Sequence, residues 1–313
     1  KVVIQDGSSF AVKDTLCEVF PGRFKTVKPA AVELHATFDL LNESLLSVTL
    51  TPDTTAERTA LPAPESLAGC LLLADRGYFS RAYFYELQKA GASFVVRAKT
   101  DIKPLVIEAI SARGKRIRGL SEKLLDESLL PKKGATDLRV SWRLRGGKVL
   151  ECRLVATWNP RTNEFQYLVT NLPQASYTPA QVSTAYRLRW QVELLFKEWK
   201  SYANLHPFDT GKASIVEGLI WASIGAAALK RFLAQATQRI AQVETSTRKT
   251  AMCAVHVLGN LFQALTDGRF SNIERAFQKA IDYLSQNAIR AHPQRDRKQG
   301  RLQGGLEPVG VGC

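Results

Sequence analysis

Hydrophobic and polar positions change rhythm several times along this chain. Over roughly the first hundred residues the apolar positions come in short runs. Val2-Val3-Ile4 leads into Asp6-Gly7-Ser8-Ser9, a turn cluster. Residues 32–40 alternate and predict a strand, with 45–50 as its hairpin partner across Asn42-Glu43-Ser44. Residues 55–67 read as helical or irregular. Cys70-Leu71-Leu72-Leu73-Ala74 is unbroken, the mark of a strand buried on both faces, and it too runs into an aspartate, in Asp75-Arg76-Gly77-Tyr78. Residues 79–90 predict a helix stopped by Gly91, and 93–98 a further strand. Alternating strands and helices predict a mixed α/β layer. Asp6 and Asp75 each close a strand at its C-terminal end, where such sheets place their ligands.

From residue 100 the rhythm changes. A helical piece is expected over 104–112, followed by the basic run Arg113-Gly114-Lys115-Arg116-Ile117-Arg118. Residues 138–144 and 149–157 flank Gly146-Gly147, a hairpin signal, and 159–163 turn the chain into a strand over 164–170. The stretch therefore reads as a β-rich insertion. Thr178-Pro179 supplies an N-cap and a first-turn proline, and one long helix is expected from there to about Tyr202. Further helices are expected near 214–240, 247–266 and 272–289, and a disordered tail rich in Gly, Arg and Gln after them. The expected division is a split core over 1–98 and 179–212, the basic insertion 99–178, a helical region 213–290 and the tail 291–313.

Composition narrows the chemistry. The five cysteines are scattered without a C-x-x-C pair, and the four histidines are equally dispersed, so neither a disulfide framework nor a zinc site is indicated. A metal site would be built from carboxylates, which suits hard ions such as Mg²⁺ or Mn²⁺. The net charge is +14, which favours a polyanionic partner. Residues 99–158 carry 14 Lys/Arg against 7 Asp/Glu, so half the excess is clustered there. The uncharged apolar run 218–229 is too short to span a bilayer, and no membrane partner is expected. The chain opens at Lys1 directly into a strand pattern, which predicts that an N-terminal portion precedes it.

The helix after Pro179 carries the sharpest pattern. Counting about 100° per residue, Tyr186, Arg189, Glu193, Lys197 and Lys200 fall within roughly 80° of one another. Leu188, Val192, Leu195, Phe196 and Trp199 form an apolar face beside them. A solvated charged face is the ordinary meaning of such a pattern. A glutamate able to ligate metal, flanked by Arg and Lys able to bind phosphate oxygens, is the other.

Tyr186, Arg189, Glu193 and Lys200, at gaps of two, three and six residues, resemble the Tyr-(2)-Arg-(3)-Glu-(6)-Lys signature of bacterial insertion-sequence DDE transposases. Val3-Ile4-Gln5-Asp6-Gly7-Ser8 and Leu73-Ala74-Asp75-Arg76-Gly77-Tyr78 resemble that family's two aspartate strands, and the resemblance covers roughly residues 1–210. It implies a ribonuclease H-like mixed sheet, interrupted by a β-rich insertion and followed by a helical C-terminal region. It implies that Asp6, Asp75 and Glu193 are catalytic and bind two Mg²⁺ or Mn²⁺ ions, which cut DNA at transposon ends and allow strand transfer by a 3′-hydroxyl. It assigns Tyr186, Arg189 and Lys200 to DNA beside the cut; Lys197 joins them by its place on the same face. The implied partners are double-stranded DNA, at transposon ends and target, and a second copy on DNA; the implied location is the bacterial cytoplasm, with the nucleoid. An inactive DNA-binding remnant, a metal nuclease without strand transfer, and a structural protein whose aspartates only cap turns are the alternatives.

Overall fold

The computed structural model describes residues 1–203, 205 and 208–291. The tail expected over 291–313 therefore lies outside the described residues from position 292 onward, as do His206, His292 and Cys313. The chain divides into two units, one of residues 1–8 and 33–192, the other of 9–32 and 193–313.

In chain order the first strands are β1 (Val2–Ala11), β2 (Pro21–Phe24), β3 (Lys28–Asp39), β4 (Ser44–Pro52) and β5 (Leu71–Ala74). Helix α1 (Arg81–Lys89) and β6 (Ser93–Arg97) follow, then β7 (Leu105–Ile110), β8 (Lys123–Leu124), β9 (Ala135–Arg143), β10 (Val149–Asn159) and β11 (Glu164–Thr170). The rest is helical: α2 (Pro179–Arg187), α3 (Gln191–Tyr202), α4 (Ala213–Ala241), α5 (Thr247–Cys253), α6 (Val255–Asp267) and α7 (Phe270–Asn287).

In the first unit β4, β3, β1, β5 and β6 lie side by side in that order, and β11, β10, β9, β7 and β8 extend the sheet beyond β6. β1, β5 and β6 are parallel, with Gln5 level with Ala74 and Ala74 level with Val96. The β5–α1–β6 crossover makes the second parallel pair possible, because parallel neighbours need a long connection. β6, β11, β10 and β9 then alternate antiparallel. The mixed α/β layer and the β-rich segment are both as expected. Leu72, Leu73, Phe94, Val95 and Val96 are completely buried, as unbroken apolar strands predict. Phe84 of α1 stacks on Phe94 at 4.6 Å and fastens the helix to the sheet.

Two helix expectations fail. The piece read as helical over 104–112 is strand β7, paired with β9 from Leu105 to Ile110. Its apolar positions fit either period, and pairing with β9 decides it. Residues 55–67, read as helical or irregular, hold two 3-10 turns, Glu57–Ala60 and Pro64–Leu67, because Pro62 and Pro64 keep a longer helix from propagating. The single helix expected from 178 to 202 is interrupted by a 3-10 turn, Leu188–Trp190, between α2 and α3. Strands β2 and β8 are too short to leave a periodic signal.

In the second unit β2 pairs with the start of β3, and Lys28 comes level with Phe24. Leu233, Val257, Leu261, Ala280, Leu284 and Ala288 form a helical core. Helix α4 has 29 residues and is long and apolar enough to cross a membrane by length and composition, a test that core helices also pass. The uncharged run weighed from sequence was a fraction of it.

Candidate active site

Asp6 and Asp75 follow directly on Gln5 and Ala74, the last residues paired between β1 and β5. The two aspartates therefore stand next to each other at the C-terminal edge of the parallel strands. Ala74 is also level with Val96, so Arg97 takes the corresponding place on β6. Both aspartates are half-buried. β1 does not end at Asp6; it runs on to Ala11.

Two residues of the helical signature reach these carboxylates. The Arg189 guanidinium pairs with Asp6 Oδ2, with the two side chains only 14% and 13% exposed. The Gly7 backbone N–H donates to Asp6 Oδ1 at 3.0 Å. The Tyr186 hydroxyl donates to Asp75 Oδ1 at 3.1 Å. Burial above all, and then the Asp75 charge, push the Tyr186 phenol well above its ordinary range. It stays a protonated donor at any working pH.

Thr178 explains how this helix starts. Its hydroxyl accepts from the Gln181 N–H at 3.3 Å, and the Gln181 side chain accepts from the Thr178 N–H at 2.8 Å, closing a capping box ahead of Pro179. The 3-10 turn then places Arg189 outside α-helical geometry, so the simple angular projection stops holding beyond Arg187.

Behind Asp6 lies a polar layer that sequence reading missed. Glu33, His35, Thr37 and Asp39 alternate along β3 and are all 5% exposed or less. His35 Nδ1 shares a hydrogen bond of 2.8 Å with the Tyr78 hydroxyl, and Nε2 one of 3.0 Å with Thr51 Oγ1. Thr37 donates to Gln5 Oε1 at 2.6 Å, and Ser47 to Thr37 at 2.9 Å. Burial, then the charges of Asp6, Glu57 and Glu33, drive the Tyr78 phenol far up. A Cβ on Gly7 would stand 2.8 Å from Glu33 Oε1, 3.0 Å from the Tyr78 hydroxyl and 3.2 Å from His35 Nδ1. Gly7 is thus required for close approach, and the turn expected over residues 6–9 is strand instead. The signal available in sequence was four polar residues at alternate positions in a strand, opposite Val32, Leu34, Ala36 and Phe38.

Glu193, Lys197 and Lys200 belong to the second unit and are exposed on α3. Lys200 Nζ donates to the Ser9 carbonyl at 3.0 Å; partial burial and the neighbouring Lys28 charge lower its pKa. Val192, Leu195, Phe196 and Trp199 are buried as the apolar face predicts, whereas Trp190 is 53% exposed. Trp142 of the insertion is buried and packs edge-on against Phe79, so its faces are closed to a stacked base. Among the described residues no three His, Cys, Asp or Glu side chains form a group ready to hold an ion. The oxygen-only donors at the edge still suit a hard divalent cation.

The model of the family described as "Transposase DDE domain" matches residues 1–229. The chain belongs to that family. Among characterised relatives, the transposase of insertion sequence element IS1151 from Clostridium perfringens is 25% identical over 243 residues, 66% of this chain and 51% of the relative. The IS231C transposase from Bacillus thuringiensis subsp. berliner is 23% identical over 252 residues, 69% and 53%. A putative transposase, InsL of IS186A from Escherichia coli K12, is 40% identical over 62 residues, 20% of this chain and 17% of the relative. The chain spans about half the length of the first two. Among solved structures, a piggyBac transposase synaptic complex with hairpin DNA aligns with a TM-score of 0.51 at 11% identity, over 96% of this chain and 62% of that one. That likeness and the order β4-β3-β1-β5-β6 make the fold of this DDE family member ribonuclease H-like, as expected.

Proposed function

We propose that this chain is the catalytic part of a DNA transposase that cleaves DNA at transposon ends and joins the freed 3′-hydroxyl to a target. The observation that carries the reading is the pairing of Asp6 with Arg189 and of Asp75 with Tyr186 at one sheet edge. Two aspartates on neighbouring parallel strands each meet a residue of the helical signature. Glu193, four residues beyond Arg189 in the chain, is the third carboxylate of the proposed set. Asp6, Asp75 and Glu193 would hold two Mg²⁺ or Mn²⁺ ions, which supply a polarised phosphorus and an activated attacking oxygen.

The chain's own residues do the remaining work. In the first step a water oxygen bonds to phosphorus, the P–O3′ bond breaks and the strand leaves as a 3′-hydroxyl. In the second that hydroxyl attacks a target phosphate and displaces a target 3′-oxygen, so no energy source is needed. Tyr186, Arg189, Lys197 and Lys200 would grip the phosphates and end nucleotide, which requires Arg189 and Tyr186 to exchange their aspartates for DNA. Residues 1–98 with 179–212 would form the core, 99–178 the insertion, with Arg113 to Arg118 tracking phosphates, and 213–290 the helical region. The working unit would be a homodimer on two DNA ends in the bacterial cytoplasm, without a membrane partner.

The test is nicking and joining of supercoiled plasmid carrying the element's ends, with Mg²⁺ or Mn²⁺. Asp6→Ala, Asp75→Ala and Glu193→Ala should each lower nicking about 100-fold or more while duplex binding by fluorescence anisotropy persists. Full nicking in any one variant removes that residue from the set. Nicking without joined products would leave a nuclease, and binding without nicking a remnant.

A further inference from the structure

A second feature starts beside the same edge of the first unit and runs toward the other end of its strands. A cleft of about 630 Å³ lies between the start of α1, the loop after β6 and the β9–β10 hairpin. Arg81 contributes from α1, Lys99 and Lys103 from the loop, and Arg143, Arg145 and Lys148 from the hairpin, with Arg58 beside them. Only Glu86 and Asp101 oppose these seven cations. Lys148 pairs with Glu86 at 3.3 Å; the other six have no ion pair among the described residues. Clustered cations of one sign, held apart from carboxylates, raise the local concentration of a polyanion.

The start of α1 adds to this. Ser80, Arg81 and Ala82 line the cleft, and the Ser80 hydroxyl accepts from the Tyr83 N–H at 3.4 Å. The N–H groups of Arg81 and Ala82 have no partner within the helix, and a nine-residue helix begun this way favours phosphate oxygens. Two of the cleft's three walls leave the catalytic edge directly, and the β9–β10 hairpin lies toward the other end of the strands. Ser80 follows Asp75 by five residues, and Lys99 follows Arg97 by two.

We infer that this cleft is a track for the phosphodiester backbone of duplex DNA running away from the site of cutting. The inference rests on the transposase reading above. Single-stranded DNA is disfavoured because its binding sites offer open aromatic faces. Trp142 is buried, and the Tyr85 ring carries the Lys148 and Lys89 ammonium groups at 5.0 and 5.9 Å. Phosphate contacts without base readout give binding that is uniform across sequences and steep in salt.

The test compares two fourfold variants of the full chain on one fluorescent duplex of arbitrary sequence and on a single strand of equal length. The first carries Lys99→Ala, Lys103→Ala, Arg143→Ala and Arg145→Ala, all on exposed side chains. The second carries Arg239→Ala, Arg269→Ala, Arg275→Ala and Lys279→Ala, which remove the same charge from exposed helical positions in the second unit. The cleft variant should flatten the slope of log affinity against log salt on the duplex by about 3 to 4, and the control by less than about 1. Equal flattening in both variants, or an effect on the single strand alone, overturns the track. Thermal melting establishes that both variants fold. If the unaltered protein binds no duplex at all, the transposase reading itself fails; if it binds and the cleft variant keeps its slope, only the track fails.

Discussion

Two aspartate–arginine pairs in the first unit look alike on paper and are built for opposite ends. Asp137 on β9 and Arg153 on β10 meet through two hydrogen bonds of 2.8 Å, with side chains 7% and 6% exposed. Arg153 also donates to the Leu172 carbonyl at 3.4 Å. Fork and carboxylate match tooth for tooth inside an antiparallel sheet, and neither can leave without stranding the other. Asp6 and Arg189 meet at the edge where parallel strands end, with about twice the exposure. The carboxylate there has its second oxygen on a backbone N–H. The first pair locks two strands; for the second we propose an exchange of partners. A charge pair is therefore not by itself a sign of either stability or function, and what separates these two is burial and place: one lies inside an antiparallel sheet, the other where parallel strands end.

The largest expected effect tests the locked pair. Asp137→Ala should cost about 3–5 kcal/mol in urea unfolding, because it leaves the Arg153 guanidinium buried without its carboxylate. Asp6→Ala should cost less, about 1–3 kcal/mol, since it removes charge-assisted contacts with Arg189 and the Gly7 N–H at the less buried of the two pairs. Equal losses would erase the distinction. Changing Asp137 and Arg153 together to apolar residues should recover much of the loss, as expected when the cost lies in the orphaned charge.

Next in size is the response to metal. If the Asp6 pair yields to a cation, Mn²⁺ at 100 times its dissociation constant should stabilise the protein by about 2.7 kcal/mol. Asp75→Ala should abolish that gain, and so should Asp6→Ala. Stabilisation that survives both changes would place the ion elsewhere on the chain.

Much of this site was legible before any coordinates. The unbroken run before Asp75 and the short one before Asp6 identified buried strands, and the aspartates following them came out side by side because parallel strands in register carry their ends to one edge. The spacing of Tyr186 and Arg189 identified the partners but not the contacts, since a 3-10 turn alters the projection and nothing in composition announces it. The polar layer of Glu33, His35, Thr37 and Asp39 was the larger omission. Alternation in β3 predicted a strand and left open what covers each face; both of its faces are covered and the polar one is satisfied internally. Period alone tells which residues share a face and not what covers it. β7 failed for a related reason: six residues with two buried positions fit a helix as well as a strand until β9 lies beside them.

The smallest effect separates holding from positioning. Tyr186→Phe removes one hydroxyl and leaves the ring, and Asp75 then loses a donor that competes with a cation for the same oxygen. The unfolding free energy should fall by about 1 kcal/mol. If Tyr186 merely occupies Asp75 until metal arrives, Mn²⁺ should bind the variant about fivefold more tightly, the equivalent of that same hydrogen bond. If Tyr186 instead aims the carboxylate at the ion, Mn²⁺ affinity should fall by a similar factor. The phenol remains protonated in either case, so the difference should not depend on pH across the working range. Tighter binding, together with weaker nicking, would mark Tyr186 as a residue that lets go of the carboxylate in order to hold DNA. Weaker binding would end the idea that the edge pairs are exchangeable and would bring Asp75 and Tyr186 closer in kind to Asp137 and Arg153.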